Sequence, residues 1–206
     1  MKWHDYQLAD TVLKTTEDIT LWKSEKGILE IEANTLALPV ELDGEAKGFV
    51  FRGKGKLLLD AIVETDKGAV GKSVEKELNK SFLMLGSPVE VQPRLGPTNR
   101  KDFERLELES QQAFVSEAES LLDEFFDGST HNGRCIDKSG GFVFAFPNES
   151  DRLDILVAKG SKLVYTGVDR SFVSHGNKVV LTSPEGVIVS HNGKSIFVSK
   201  CHRHIH

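Results

Sequence analysis

The chain has 206 residues, of which 39% are hydrophobic and 28% charged, so it is long enough to bury a core without metal or disulfide support. Its formal net charge of −5 argues against a nucleic-acid-binding protein, because such proteins carry an excess of basic residues. The sequence has no apolar run of the roughly 18 residues that a membrane-spanning helix needs. Its 2 cysteines are typical of a reducing compartment, so we expect a cytoplasmic protein without a membrane partner.

Short strands dominate the first part of the chain. Apolar patterning predicts strands at Ile28–Ile31 and Leu36–Leu42. Pro39 places the second of these at a sheet edge or a bend, because proline cannot donate a backbone hydrogen bond. The connection between Phe49–Phe51 and Leu57–Val63 contains glycines that favour turns, so these two runs are predicted to form a hairpin.

Two later segments carry helical patterns. We expect a short helix at Ser73–Phe82 and a longer, amphipathic one at about Leu108–Asp127. The apolar stripe of the longer helix consists of Phe114, Ala118, Leu121, Leu122 and Phe125. Acidic residues occupy its other side, so we expect this helix to pack on a sheet that covers its apolar stripe.

Several short segments occur twice in the chain. The sequence Gly-Phe-Val-Phe stands at 48–51 and again at 141–144, and Leu59-Asp60 recurs as Leu153-Asp154. The repeats keep the same order, which predicts an internal duplication. The expected fold is therefore a β-rich α+β architecture with two related antiparallel β units, at 1–99 and 131–206, joined by the acidic helix at 100–130. One fused domain remains an alternative to separate units.

The C-terminal part contains a closer repeat. The segment Val173–Lys178 recurs sixteen residues later as Val189–Lys194. Each copy has an asparagine–glycine pair in one order or the other between apolar runs, which is a strong signal for a β-hairpin. The pattern predicts a four-stranded antiparallel meander from about Ser171 to Ser199.

The hairpin turns of this meander suggest a ligand site. His175 and His191 each precede a turn, while Lys178 and Lys194 each follow one. In a meander both turns fall at the same end of the sheet, so the four side chains would form a positive rim that could hold a small anion or a carboxylate. The alternative is that these polar residues flank the turns only because turns face water.

The histidines at the end of the sequence suggest a metal site. His202, His204 and His206 would share one face of an extended chain, because alternate residues of a strand point the same way. Neutral imidazole binds zinc and other transition metals such as nickel or copper. The alternative is a solvated terminus without a bound metal.

Other motifs give weaker indications. The segment at 66–73 resembles a phosphate-binding loop, but Asp66 stands where that loop needs glycine, and its carboxylate would repel phosphate. Asp60 and Asp154 occupy equivalent positions in the predicted duplication and could form a pair of carboxylates. The motifs of serine hydrolases and zinc proteases do not occur in the sequence.

Three functional hypotheses follow from these patterns. The first is a β-rich binding or assembly module without catalytic activity that forms a homo-oligomer, because the edges of its sheets need covering. The second is a metal-binding protein or metal-dependent enzyme that uses the C-terminal histidines. The third is an anion or nucleotide binder that uses the rim at His175 and His191 or the basic connection Arg52–Lys56.

Overall fold

The computed structural model describes residues 5–59, 63–65, 68–70, 74–86, 91–97, 105–127, 141–148, 152–160, 162–167, 171–175, 178–183, 186–191 and 194–199. The strands that precede the helix are β1 (Tyr6–Leu8), β2 (Leu13–Thr15), β3 (Ile19–Ser24), β4 (Gly27–Ile31), β5 (Leu36–Leu42), β6 (Glu45–Arg52), β7 (Gly55–Leu59), β8 (Val63–Thr65), β9 (Gly68–Val70), β10 (Val74–Leu78), β11 (Phe82–Leu85) and β12 (Leu95–Pro97). A short 3₁₀ helix occupies Gln92–Arg94, and the α-helix α1 spans Arg105–Asp127. The strands that follow are β13 (Phe142–Pro147), β14 (Leu153–Lys159), β15 (Lys162–Thr166), β16 (Ser171–His175), β17 (Lys178–Ser183), β18 (Gly186–His191) and β19 (Lys194–Ser199).

Two antiparallel sheets carry the fold. The large sheet has the order β12-β2-β5-β6-β11-β13-β14-β15-β16-β17-β18-β19, with β1 beside β5. The small sheet has the order β10-β7-β4-β3, and β8 pairs with β9 alone. Because β11 pairs with both β6 and β13, strands from before and after α1 belong to one sheet. The β-rich prediction is confirmed at this level, with one large sheet, one smaller sheet and one α-helix among the described residues.

The two sheets pack face to face around an aromatic core. Leu29 and Leu57 of the small sheet belong to the same buried cluster as Phe51, Phe82 and Phe146 of the large sheet. The Phe51 and Phe146 rings each lie 5.4 Å from the Phe82 ring, which is within the range of favourable ring packing. The three rings come from the neighbouring strands β6, β11 and β13, so they pack side by side in the middle of the large sheet.

Helix α1 covers the opposite face of the large sheet. Phe114, Leu122 and Phe125 of the helix are buried in one cluster with Val50 and Leu83 of the sheet. These three side chains of the helix therefore pack on the sheet. The helix begins at Arg105, three residues before the predicted start at Leu108.

A polar contact holds the middle of α1 on the sheet. Ser81, which is buried, donates a hydrogen bond to Glu117 Oε2 at 2.7 Å. Arg52 Nη1 lies 3.3 Å from Glu117 Oε1. The carboxylate of Glu117 therefore links the helix to the end of β6 and to the start of β11.

Two predictions for residues 49–82 are wrong. Phe49–Phe51 and Leu57–Val63 do not form a hairpin, because β6 pairs with β5 and β11 whereas β7 pairs with β4 and β10. The connection between β6 and β7 instead crosses from one sheet to the other. Ser73–Phe82 is not helical, because Val74–Leu78 forms β10. The sequence of β10, Val-Glu-Lys-Glu-Leu, has its two apolar residues four apart, a spacing that a helix also allows, and lysine and glutamate are common in helices.

The predicted duplication stays a prediction. The first strands of the two copies, β6 and β13, have the same facing: Phe51 and Phe144 belong to the inter-sheet core, whereas Val50 and Val143 belong to the core under the helix. The following strands pair differently, because β7 enters the small sheet whereas β14 pairs with β13.

Candidate functional site

A row of basic residues crosses six neighbouring strands at one end of the large sheet. Each residue is the direct cross-strand partner of the next, and each ends or begins its strand at a hairpin. In strand order from β14 to β19, this basic row consists of Lys159, Lys162, His175, Lys178, His191 and Lys194. The four rim residues proposed from the sequence are therefore consecutive members of this row by backbone register.

The structure adds Lys159 and Lys162 to the predicted rim. The sequence contains the signal that could have identified them, because Val157–Lys162 precedes the repeat that begins at Val173 by sixteen residues. The three copies share valine at the first position, a basic residue at the third and lysine at the sixth. The first copy is harder to recognise, since Lys159 replaces histidine and Gly160-Ser161 replaces the asparagine–glycine pair.

The described side chains of the basic row face water. Lys159, Lys162, His175 and Lys178 are exposed. In the sequence, the residues that separate these strands, at 160–161, 176–177 and 192–193, are all glycine, serine or asparagine. With a strand spacing of about 4.8 Å, the row extends for roughly 24 Å. Its described lysines, Lys159, Lys162 and Lys178, place exposed positive charge on a chain whose net charge is negative.

A row of valines runs beside the basic row on the same face of the sheet. Its members are direct cross-strand partners, and their described side chains are half-buried. This valine row consists of Val157, Val164, Val173, Val180 and Val189. Residues two apart in a strand share a face, so each valine lies next to one basic residue of the same strand.

The valine row lies on the face of the sheet that α1 covers elsewhere. Val157 packs against the core under the helix. The neighbouring positions Leu156, Leu163 and Phe172 point to the other face and are buried in the inter-sheet core. An apolar strip with a basic border therefore continues from the helix across the C-terminal strands.

A separate polar cluster lies on the opposite face of the large sheet. Asp154 is only 7% exposed and accepts two hydrogen bonds, from Tyr165 Oη at 3.0 Å and from Asn148 Nδ2 at 3.1 Å. Lys76 of the small sheet lies with its Nζ 3.5 Å from Asp154 Oδ2. The ion pair therefore connects the two sheets.

Lys76 is held by further groups of the large sheet. Its Nζ donates a hydrogen bond to the carbonyl oxygen of Pro147 at 3.2 Å and lies 5.2 Å from the centre of the Phe146 ring. Burial lowers the pKa of Lys76 below its ordinary value, and the nearby positive charge of Lys80 lowers it further, whereas Asp154 acts in the opposite direction. The ammonium form of this lysine is thus less favoured than that of a lysine in water.

Two adjoining clefts open beside this cluster. One cleft of about 480 Å³ is lined by Lys76, Asp154 and Tyr165, and the other, of about 490 Å³, lies against α1. Both are lined by Asn79, Lys80, Ser81 and Pro147. The sequence match to Asp60 points to Asp154, but no sequence pattern points to its lysine partner, because the contact joins two different sheets.

The other sequence candidates receive less support. His202, His204 and His206 lie outside the described residues, as does Asp60. Within the described part of the chain, no group of three or more histidine, cysteine or acidic side chains could hold a metal ion. In the basic connection, Arg52 is paired with Glu117, and Lys56 Nζ lies 2.7 Å from Glu75 Oε1. Carboxylates of the chain itself already engage these two cations.

Among the residues that the structure describes, no helix has the length and apolarity needed to cross a membrane. Comparisons with protein-family models, with curated proteins and with solved structures found no match to this chain.

Proposed function

We propose that the chain is a binding module that holds an acidic partner on the C-terminal part of its large sheet. The observation that carries this proposal is the basic row of six directly paired residues across β14–β19. Charged rows of this kind increase the rate and the specificity of binding to partners of opposite charge. The parallel valine row supplies apolar area beside the charges, which small inorganic ions do not need.

The spacing favours one kind of acidic partner. Successive members of the basic row are about 4.8 Å apart, which is close to the pitch of about 5.4 Å between turns of an α-helix. An amphipathic helix laid across the strands can therefore place a stripe of carboxylates on the basic row and an adjacent apolar stripe on the valine row. Interfaces with an apolar centre and a charged border are common in protein complexes.

Charge reversal at two exposed lysines of the basic row tests this function. In the variant Lys162→Glu/Lys178→Glu, we expect a fluorescent helical peptide with adjacent glutamate and leucine stripes to bind at least about tenfold more weakly, since opposite-charge contacts become like-charge contacts. Fluorescence anisotropy at low and moderate salt measures the affinity.

The matched control reverses two exposed lysines elsewhere, in the variant Lys23→Glu/Lys54→Glu. It changes the net charge by the same amount and should leave the affinity within about twofold of the wild type, because neither lysine belongs to the basic row. Equal loss in both variants, or no binding of the acidic peptide by the wild type, would contradict the proposal.

A second candidate is self-assembly through the same surface. Helix α1 lies on the same face of the sheet, and its residues Glu119 and Glu124 are exposed. The acidic helix of one copy could therefore lie on the basic row of another, as an isologous dimer would require.

Two charge-reversal variants, studied alone and as a mixture, test self-assembly. Light scattering of the wild type should show a dimer that Lys162→Glu/Lys178→Glu and Glu119→Lys/Glu124→Lys each prevent, because each variant places like charges across the interface. Mixing the two variants should restore a dimer, since both of its contacts again join opposite charges. A wild type that stays monomeric over a hundredfold range of concentration would rule out this candidate while leaving the binding of other acidic partners open to the peptide test.

A further inference from the structure

The cleft at Lys76 combines a primary amine with a neighbouring carboxylate. The Lys76 side chain is 23% exposed, and that of Asp154 is 10% exposed. Tyr165 and Asn148 hold the carboxylate in place through their hydrogen bonds to its two oxygens. The cleft beside these groups, at about 480 Å³, is large enough for a small organic molecule.

We propose that Lys76 forms a reversible imine with a small aldehyde or 2-oxo acid that enters this cleft. The amine is positioned by two acceptors, the Pro147 carbonyl oxygen and the Asp154 carboxylate. A neutral amine has two N–H bonds and one lone pair. If the two N–H bonds serve these two acceptors, the lone pair remains for attack on a carbonyl carbon.

The reaction needs no oxidant or reductant. The Lys76 ammonium first transfers a proton to Asp154 or to water. Its nitrogen then bonds to the carbonyl carbon, and one of the two protons left on the nitrogen passes to the carbonyl oxygen. The resulting carbinolamine loses its hydroxyl group as water when the nitrogen gives up its remaining proton and the C=N bond forms. The sum is an amine and a carbonyl compound on one side and an imine and water on the other.

The pKa of Lys76 supports this role independently of the distances. Burial is the largest cause of its lowered pKa, and the charge of Lys80 contributes in the same direction. A larger fraction of Lys76 is therefore neutral and nucleophilic near neutral pH than for a lysine in water. Lysines that form imines in enzymes are commonly activated in these two ways.

The surroundings of the cleft favour a carbonyl compound that carries a carboxylate. Lys80 is exposed, lines the cleft, and lies close enough to Lys76 to influence its protonation. Asn79 lies beside it and is also exposed. A 2-oxo acid could place its carboxylate near Lys80 while its ketone or aldehyde carbon reaches Lys76.

Reductive trapping on the folded wild-type protein tests the proposal. The protein is incubated with glyoxylate and sodium cyanoborohydride at pH 7, which reduces any imine to a stable secondary amine. Peptide mapping by mass spectrometry should find Lys76 modified severalfold more than the exposed residues Lys23 and Lys54, because burial lowers the pKa of Lys76 and leaves more of its amine neutral. Equal modification of the three lysines, or modification of Lys76 only after unfolding, would overturn the proposal.

Two substitutions test the role of the Lys76 amine and the role of Lys80 separately. Lys76→Arg keeps the cation but removes the primary amine, so the site-specific adduct should be lost while the other lysines react as before. Lys80→Gln should reduce trapping of glyoxylate at least about threefold more than trapping of propanal, which has no carboxylate. An equal effect on the two aldehydes would overturn the preference for 2-oxo acids.

This site is independent of the proposed acidic partner. Tyr165 belongs to the inter-sheet core, whereas the valine row lies on the opposite face of the same sheet. The variant Lys162→Glu/Lys178→Glu should therefore be trapped at Lys76 as strongly as the wild type. Failure of peptide binding and failure of trapping can thus be told apart.

Discussion

At the scale of single residues, the Lys76–Asp154 pair has the clearest energetic consequence. Lys76 lies in β10, at the edge of the small sheet, and faces the large sheet. An inward-facing charge on an edge strand disfavours pairing with a further strand, because pairing would bury the charge more deeply. The same lysine therefore discourages association at this edge, whatever chemistry its amine performs.

The lowered pKa of Lys76 predicts a pH dependence of stability. The unfolded chain keeps the lysine proton up to its ordinary pKa of 10.5, whereas the folded protein releases it at lower pH. Between the two pKa values the unfolded state binds more protons, so the free energy of unfolding rises with pH in that window. Urea unfolding at pH 7, 8.5 and 10 measures the free energy of unfolding of the wild type and of Lys76→Met. The wild-type value minus the variant value should increase with pH. A difference that is constant or that decreases would contradict the lowered pKa.

At the scale of secondary-structure elements, the edges of both sheets carry features that limit further pairing. The strand pair β3–β4 has an irregular register between Thr20 and Trp22, and β12 at one end of the large sheet ends in Pro97. Irregular register and proline both interrupt the regular row of hydrogen bonds that a further strand would need. Self-assembly through the face of the large sheet is therefore more consistent with these elements than edge-to-edge pairing at β3 or β12.

The glycines that begin the repeated Gly-Phe-Val-Phe segment predict a second set of stability effects. A Cβ atom at Gly48 would collide with the Met84 carbonyl oxygen of β11, and one at Gly141 with the Ala158 carbonyl oxygen of β14. Gly48→Ala and Gly141→Ala should each lower the free energy of unfolding by about 1–3 kcal/mol, because backbone atoms must move to admit the methyl group. Urea unfolding followed by tryptophan fluorescence measures the change.

The control for these glycines is Glu45→Ala in the same strand, β6. The Glu45 side chain is 77% exposed and its ion pair with Lys47 is in water, so its loss should change the free energy of unfolding by less than about 1 kcal/mol. If the glycine variants were as stable as this control, the close approach of the strands would not be a structural constraint.

At the scale of the whole molecule, the sequence predicted local pairing better than long-range pairing. The hairpins from Ser171 onward join strands that follow one another, so their turns and alternation suffice to define them. The pairing of β11 with β13 and the crossing from β6 to β7 depend on contacts between distant segments, which apolar alternation does not specify. The same contrast between local and long-range contacts applies to the candidate sites. The basic row lies on consecutive hairpins, so the sequence repeat predicts it. The Lys76–Asp154 contact joins strands of two different sheets, so no local pattern predicts it.

The sixteen-residue spacing of the C-terminal hairpins ties the size of the proposed binding surface to chain length. Each hairpin contributes two strands, hence two basic residues and two aliphatic residues, in fixed register with those already present. Gain or loss of one whole unit would lengthen or shorten the surface by about 10 Å without exchanging its faces. An insertion of an odd number of residues within a strand would move the basic residues beyond that point to the other side of the sheet. The avidity of the proposed surface for a long acidic partner would therefore change in discrete steps, one hairpin at a time.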